Sequence, residues 1–222
     1  FSSDVETVLN RIGFNYPVGY GATECAPLIC YADWKEFKPG SCGKAVPRMQ
    51  VRIDSADPSH VVGEILCKGD NVMLGYYKNE EETRRTIDSE GWYHTGDLGV
   101  MDSDGFVYIR GRSKNMLLGP SGQNIYPEEI EDKLNAMQVV AESVVIQKDT
   151  KLYGLVYPDQ DEAKALEAEG QSLPTVLEMV RKEINADLPA YEQLAGIKIM
   201  NKEFEKTPKK SIKRYLYFEE SI

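Results

Sequence analysis

Histidine is nearly missing from this 222-residue chain: His60 and His94 are the only two. Cysteine is sparse as well, at Cys25, Cys30, Cys42 and Cys67, and no two of them form a C-x-x-C pair. Such a set offers no zinc site, and free thiols in a reducing cytosol are the expected state. No apolar run approaches the roughly 20 residues needed to cross a bilayer. The opening Phe1-Ser2-Ser3-Asp4-Val5-Glu6 lacks the basic and apolar regions of a secretory signal. Positive charge is also short, with a formal net charge of −10, which argues against general nucleic-acid binding, because phosphate contacts need a positive surface. The expectation is a soluble, cytoplasmic, globular protein, built as one large domain or two small ones.

What is present divides near Arg112. Before it the chain reads as β-rich: Val51 to Ile53, Gly63 to Lys68 and Gly105 to Arg110 are short apolar or alternating runs between Gly, Pro and Asp clusters. Tyr93 to Tyr108 reads as a hairpin, with Asp102-Ser103-Asp104-Gly105 as its tight turn. That turn lacks the further ligands and later Glu of an EF-hand loop. Beyond Arg112 the period changes. Pro127-Glu128-Glu129 opens a helix with Ile130, Leu134 and Met137 on one face. Strands are predicted at Ser143 to Gln147, Leu152 to Tyr157 and Ile197 to Met200. Helices are predicted near Asp161 to Glu169 and along Val176, Leu177, Val180, Ile184 and Leu188. Two small domains joined at Gly111 to Asn115 is the simplest division. The first has many apolar strands and little helix to cover them, so a partner surface outside this chain is expected.

Two segments carry candidate chemistry. Val18-Gly19-Tyr20-Gly21-Ala22-Thr23-Glu24 combines backbone freedom with an aromatic ring, a hydroxyl for phosphate and a carboxylate for a hard cation. It matches neither the G-x-x-x-x-G-K-[ST] nor the G-x-G-x-x-G phosphate loop, and by itself such a segment is far more often a turn and helix cap. In Trp92-Tyr93-His94-Thr95-Gly96-Asp97-Leu98, Asp97 at a strand end has two acceptor oxygens for the hydroxyls of a ribose. Its bland reading is an Asp capping a turn. Gly111-Arg112 follows the hairpin and brings a guanidinium within range of the same ribose or a phosphate.

Taken in order, Tyr20-Gly21-Ala22-Thr23-Glu24, Gly63-Glu64-Ile65-Leu66 with Gly75-Tyr76, Tyr93 to Leu98, and Gly111-Arg112-Ser113-Lys114 with Pro127 to Glu131 resemble the successive core motifs of adenylate-forming enzymes. That superfamily includes acyl-CoA synthetases, luciferases and peptide-synthetase adenylation domains. The resemblance covers nearly the whole chain. It implies an α+β fold: residues 1–112 as the C-terminal part of a large domain, a β-rich distorted barrel or sheet, and residues 113–222 as a small mobile domain. It implies ATP, Mg²⁺ and CoA as cofactor and co-substrates, with Tyr20 stacked near adenine, Gly21 and Thr23 at the phosphates, Glu24 on Mg²⁺, and Asp97 with Arg112 on the ribose. Lys114 stands at the family's hinge, and Ser121-Gly122-Gln123 resembles the loop lining the pantetheine tunnel. Phe204 to Pro208 and Arg214-Tyr215-Leu216-Tyr217 look most like bacterial long-chain fatty-acid CoA ligases, which implies a fatty acid as the acid substrate. His94 is expected to fix local structure.

Two departures qualify the resemblance. The family's Ser/Thr/Gly-rich phosphate loop and most of the acid pocket would lie upstream, so an N-terminal part of the same protein is the implied partner and the chain alone is expected to be inactive. The tail Lys206-Thr207-Pro208-Lys209-Lys210-Ser211-Ile212 puts Ser211 where the family has its adenylation lysine. Lys210 either substitutes through a shift of register or, on an extended strand, points the other way. The same basic run admits contact with an anionic membrane, although a phosphate-facing loop is preferred. The rival readings are a non-catalytic ATP- or acyl-adenylate-binding module and a peptide-synthetase-type adenylation domain.

Overall fold

The computed structural model describes residues 3–208, 210–220 and 222. Its contacts divide the chain into two compact units, Phe1–Lys114 and Asn115–Ile222.

The first unit begins with helix α1 (Ser3–Arg11), then β1 (Val18–Gly21), β2 (Leu28–Ala32) and β3 (Lys44–Ala45), which form an antiparallel sheet in the order β1-β2-β3. A second sheet is a four-stranded antiparallel meander of β4 (Met49–Asp54), β5 (Gly63–Gly69), β6 (Tyr93–Met101) and β7 (Val107–Arg112). Its last two strands are the hairpin expected from Asp102 to Gly105, where the Asp102 carboxylate accepts the amides of Asp104 and Phe106 at 3.0 and 2.9 Å. Period-2 burial drives the meander: Met49 and Ile53 of β4 enter a core with Cys25, Ile29, Cys30, Ile65, Cys67, Tyr93 and Val107.

Two helices of this unit were not among the elements expected from the sequence. Helix α2 (Glu80–Thr86) buries no residue, so no apolar period announces it. It forms because the Asn79 side chain accepts the Glu82 amide, acids fill the first turn and arginines the last, and Arg84 and Arg85 pair with Glu80 and Glu81 one turn earlier. Helix α1 leaves Val5, Val8 and the following Ile12 and Phe14 between 44% and 66% exposed, an apolar face uncovered within this chain. The Gly-rich stretch read as a loop is in part a strand, since Tyr20 and Gly21 belong to β1.

The second unit starts with a two-stranded ribbon, β8 (Leu117–Leu118) and β9 (Asn124–Ile125), and then α3 (Pro127–Asn135). Strands β10 (Val140–Lys148) and β11 (Lys151–Pro158) form an antiparallel hairpin. Helices α4 (Gln160–Ala168) and α5 (Leu173–Ala186) then carry the chain across to β12 (Leu194–Ile199), parallel to β11. Strand β10 is buried on both faces at its centre, hence the consecutive apolar Val144-Val145-Ile146. Val145 joins Ile130, Leu134, Val156, Leu177, Val180 and Ile184 on one side. Val144 and Ile146 meet Leu155 and Phe204 on the other. Met137 and Leu188, expected on helix faces, lie just past the ends of α3 and α5, although both still pack on the core.

Candidate functional site

In the first unit the sheet topology brings together residues far apart in sequence. Asp97 on β6 stands opposite Arg112 on β7, and the Arg112 Nε lies 2.8 Å from Asp97 Oδ1. The Tyr20 hydroxyl, arriving on β1, donates to Asp97 Oδ2 at 2.6 Å. Burial first, and then the Asp97 charge, push the Tyr20 phenol well above its ordinary value, so it remains a donor. Asp97 is buried, its amide donates to Thr95 Oγ1 at 3.0 Å, and that hydroxyl donates to the Ile65 carbonyl at 2.7 Å. A buried carboxylate held this firmly keeps lone pairs for two further donors. The Tyr20 ring itself lies in the core and is 9% exposed, which leaves a small face for a base.

Beyond β1, Thr23 and Glu24 form a single turn of 3-10 helix (Thr23–Cys25). Gly21 is required there by close approach. A Cβ on it would lie 2.0 Å from the Pro27 carbonyl oxygen, the atom that accepts the Ala22 amide at 2.8 Å. Gly21→Ala is therefore expected to destabilise this unit by about 1–3 kcal/mol, read as a lowered midpoint in thermal unfolding; an unchanged midpoint contradicts it. Glu24 accepts the Tyr76 hydroxyl at Oε1, 3.0 Å away, a phenol raised by burial and by that carboxylate. The sequence motif containing Tyr76 assigns it no role; its fixed place beside Gly75 is the signal that could have found it. Among the described residues no group of three His, Cys, Asp or Glu forms a metal cluster. Glu24 offers one half-buried carboxylate with an uncommitted oxygen, which suits Mg²⁺, an ion held by one or two carboxylates together with substrate phosphates. His94 is paired with Glu64 at 2.9 Å. All four cysteines are free. Lys114 is exposed in a 3-10 turn (Ser113–Asn115).

The second unit carries the remaining candidates. Gly122 and Gln123 make the β8–β9 turn: the Gly119 amide donates to the Gln123 carbonyl at 2.8 Å and the Ser121 amide to Gln123 Oε1 at 3.2 Å. Near the C-terminus, Lys206 and Ile212 form an antiparallel bridge. The Thr207 amide donates to the Ser211 carbonyl at 2.8 Å, and the Lys210 amide to the Thr207 carbonyl at 2.8 Å. The segment is thus a tight turn, and Lys210 has a left-handed φ of 61°. This corrects the extended-strand argument against Lys210, because alternation does not apply in a turn. The other described residues of the basic run are neutralised: Lys206 pairs with Glu142, Lys213 with Glu205 at 3.3 Å, and Arg214 with Glu131. Lys209 lies outside the described residues. Among the described residues of the run, exposed Lys210 alone lacks a carboxylate partner.

The Arg214–Glu131 pair was not legible beforehand. Buried Glu131 accepts both guanidinium nitrogens, Nη1 at 2.6 Å, as well as the Val145 amide at 2.6 Å. Burial outweighs these interactions and pushes the Glu131 carboxyl up to about 7.

The comparisons with known proteins bear on both units. The family model for AMP-binding enzymes matches residues 2–77, and that for the AMP-binding enzyme C-terminal domain matches residues 115–220. The 2-succinylbenzoate–CoA ligase of Bacillus cytotoxicus is 42% identical over 142 residues, 62% of this chain and 29% of its own length. A ligase of the same name from Bacillus cereus is 41% identical over 142 residues, with the same coverage. The chain therefore spans about 29% of the length of these relatives. Among solved structures, o-succinylbenzoate CoA synthetase from Bacillus subtilis with its acyl-adenylate intermediate superposes with a TM-score of 0.81 at 25% identity, covering 96% of this chain and 43% of that one. The same enzyme with ATP and magnesium ion gives a TM-score of 0.79. The fold is that of the C-terminal part of such enzymes. With two consecutive models of one family matched across both units, the chain belongs to the AMP-binding enzymes, the adenylate-forming superfamily.

Proposed function

We propose that this chain is the C-terminal portion of an AMP-forming acid–CoA ligase. Residues 1–112 would be the end of its large domain and residues 113–222 its small domain, turning about Lys114. In that reaction a carboxylate attacks ATP to give an acyl-adenylate and pyrophosphate; the CoA thiol then displaces AMP. The observation that carries the reading is the buried Asp97 carboxylate, clamped by Tyr20 at 2.6 Å and Arg112 at 2.8 Å, a preorganised acceptor for two ribose hydroxyls. Glu24 would hold Mg²⁺, which neutralises phosphate charge when bound, and Thr23 would donate its hydroxyl to a phosphate oxygen. Gly122 and Gln123 would border the pantetheine arm of CoA.

The acid is the finer question. The tail resembles long-chain fatty-acid CoA ligases, while the relatives that cover 62% of the chain act on 2-succinylbenzoate, an aromatic dicarboxylate. Those relatives favour an aromatic acid. The experiment is acid-dependent pyrophosphate release and acyl-CoA formation by the ligase carrying this chain, with 2-succinylbenzoate, benzoate and palmitate compared. No turnover beside intact AMP binding would favour a binding module instead.

Lys210 is assigned the charge that stabilises the phosphate during adenylation, in place of Ser211. Among the described residues its ammonium has no carboxylate partner, and its turn is closed by the Lys206–Ile212 bridge and by backbone bonds at Thr207. Lys210→Ala is expected to slow pyrophosphate release by about 10²-fold while CoA transfer from a supplied acyl-adenylate stays within a few-fold. Unchanged pyrophosphate release would remove Lys210 from the mechanism.

A further inference from the structure

Glu64 belongs to a motif, Gly63-Glu64-Ile65-Leu66, that takes no direct part in the site above, yet its carboxylate reaches into the strand that carries Asp97. Strands β5 and β6 pair Gly63 with Gly99 and Glu64 with Leu98, then resume at Leu66 with His94. Ile65 alone thus faces Thr95, Gly96 and Asp97, and β6 bulges by two residues. A bulge strips amides of their ladder partners and re-aims the side chains it carries. The stripped amide here is that of Gly96, whose φ of 71° favours glycine, and it donates to Glu64 Oε1 at 2.9 Å. The other oxygen, Oε2, is 2.9 Å from His94 Nδ1. His94 Nε2 lies 3.9 Å from Asp88 Oδ2, and Asp88 is itself fixed by the amides of Glu90 and Trp92, both at 2.9 Å. One carboxylate therefore ties the displaced backbone to a side chain on the same strand.

We propose that Glu64 is a positioning residue: its carboxylate, oriented by His94, holds the β6 bulge that aims the Asp97 carboxylate at the ribose hydroxyls of the nucleotide. The inference rests on the ribose-binding reading of Asp97. Thr95 and Asp97, two residues apart, share the inward face, and the two extra residues of the bulge preserve that alternation while the ladder on either side keeps its register. A slip of one residue would turn Asp97 to the opposite face, and the Gly96 amide between them is held in place by the Glu64 carboxylate. Gln at position 64 keeps an acceptor oxygen for the Gly96 amide, whereas Ala does not.

The test is titration of the ¹⁵N-labelled 222-residue chain with AMP, together with hydrogen exchange at the Gly96 amide. Asp97→Ala supplies the baseline for loss of the ribose contact. Glu64→Ala is expected to weaken AMP binding by about tenfold or more and to speed Gly96 exchange, with Glu64→Gln close to the unsubstituted chain on both readouts. AMP binding by Glu64→Ala equal to that of the unsubstituted chain overturns the proposal. If Glu64→Ala does not melt cooperatively, His94→Ala decides in its place: weaker AMP binding supports the proposal and unchanged binding overturns it. Should the unsubstituted chain not bind AMP, the ribose reading fails for this chain by itself. Gly96 exchange then decides for Glu64 alone, faster exchange in Glu64→Ala supporting it and unchanged exchange overturning it.

Discussion

Replacing Asp97 by Ala is expected to lower AMP affinity by about 10²- to 10⁴-fold, the largest single effect on the proposed nucleotide site. Hydrogen bonds to a charged group contribute about 1.5–3 kcal/mol each, and two ribose hydroxyls would lose theirs together. The carboxylate already accepts from Tyr20 and Arg112. With about four lone-pair sites, it retains capacity for a ribose without breaking either contact. The substitution also leaves the buried Tyr20 hydroxyl without its acceptor, which costs about 1–3 kcal/mol of stability. Tyr20→Phe separates the two effects, because it removes the phenol and leaves the carboxylate. Calorimetric or NMR titration with AMP, paired with thermal melts, reads both quantities. AMP binding by Asp97→Ala within threefold of the unsubstituted chain would show that the ribose lies elsewhere. Loss of binding only in proportion to loss of folded protein would reduce Asp97 to a structural role.

Arg214→Ala should destabilise the second unit by about 3–5 kcal/mol at pH 8, since breaking a buried pair leaves an uncompensated charge. The charge left behind is Glu131, whose carboxyl is already pushed up to about 7 by burial with Arg214 in place. An unfolded chain releases this proton near pH 4.3. The folded form therefore binds a proton that the unfolded form gives up between those values. The group's contribution to stability is fully present below the unfolded pKa and is lost as pH rises through about 7. Without the guanidinium the carboxyl moves higher still, so the deficit of the variant should be largest at pH 8 and shrink by pH 5.5, where Glu131 is neutral. Glu131→Gln in the same chain should recover much of the loss at pH 8. Thermal melts at the two pH values make the comparison. An Arg214→Ala deficit that is equal at both, or that grows on acidification, would assign the destabilisation to lost packing of the tail.

The parts of this fold that were legible in the sequence are those whose cause is local. Asp102 and Gly105 announce the β6–β7 hairpin because a tight turn needs an Asx acceptor and a left-handed glycine. Ile130 and Leu134 announce α3, and Leu177, Val180 and Ile184 announce α5, because each stripe buries one helix face. Helix α2 was invisible because it buries nothing and stands on caps and ion pairs. Tyr20 and Gly21 read as loop because a four-residue strand with two glycines carries little β pattern.

Of the candidate site, the sequence by itself determined the chemical inventory: a Tyr, a Thr and two carboxylates at set points in Gly-rich segments, a following Arg, and a tail with Ser211 where a lysine is expected. The contacts were decided only by the tertiary structure. Tyr20 and Asp97 are separated by 77 residues, and Arg214 and Glu131 by 83, so neither pair follows from a local period. The left-handed turn at Lys210 depends on Lys206 bridging Ile212 and on the ion pair from Lys206 to Glu142 on β10. The aim of Asp97 depends on a bulge held from a neighbouring strand by Glu64. Local sequence sets φ, ψ and burial preference over a few residues. Which donor meets which acceptor depends on sheet register, and register is chosen when whole faces are buried together.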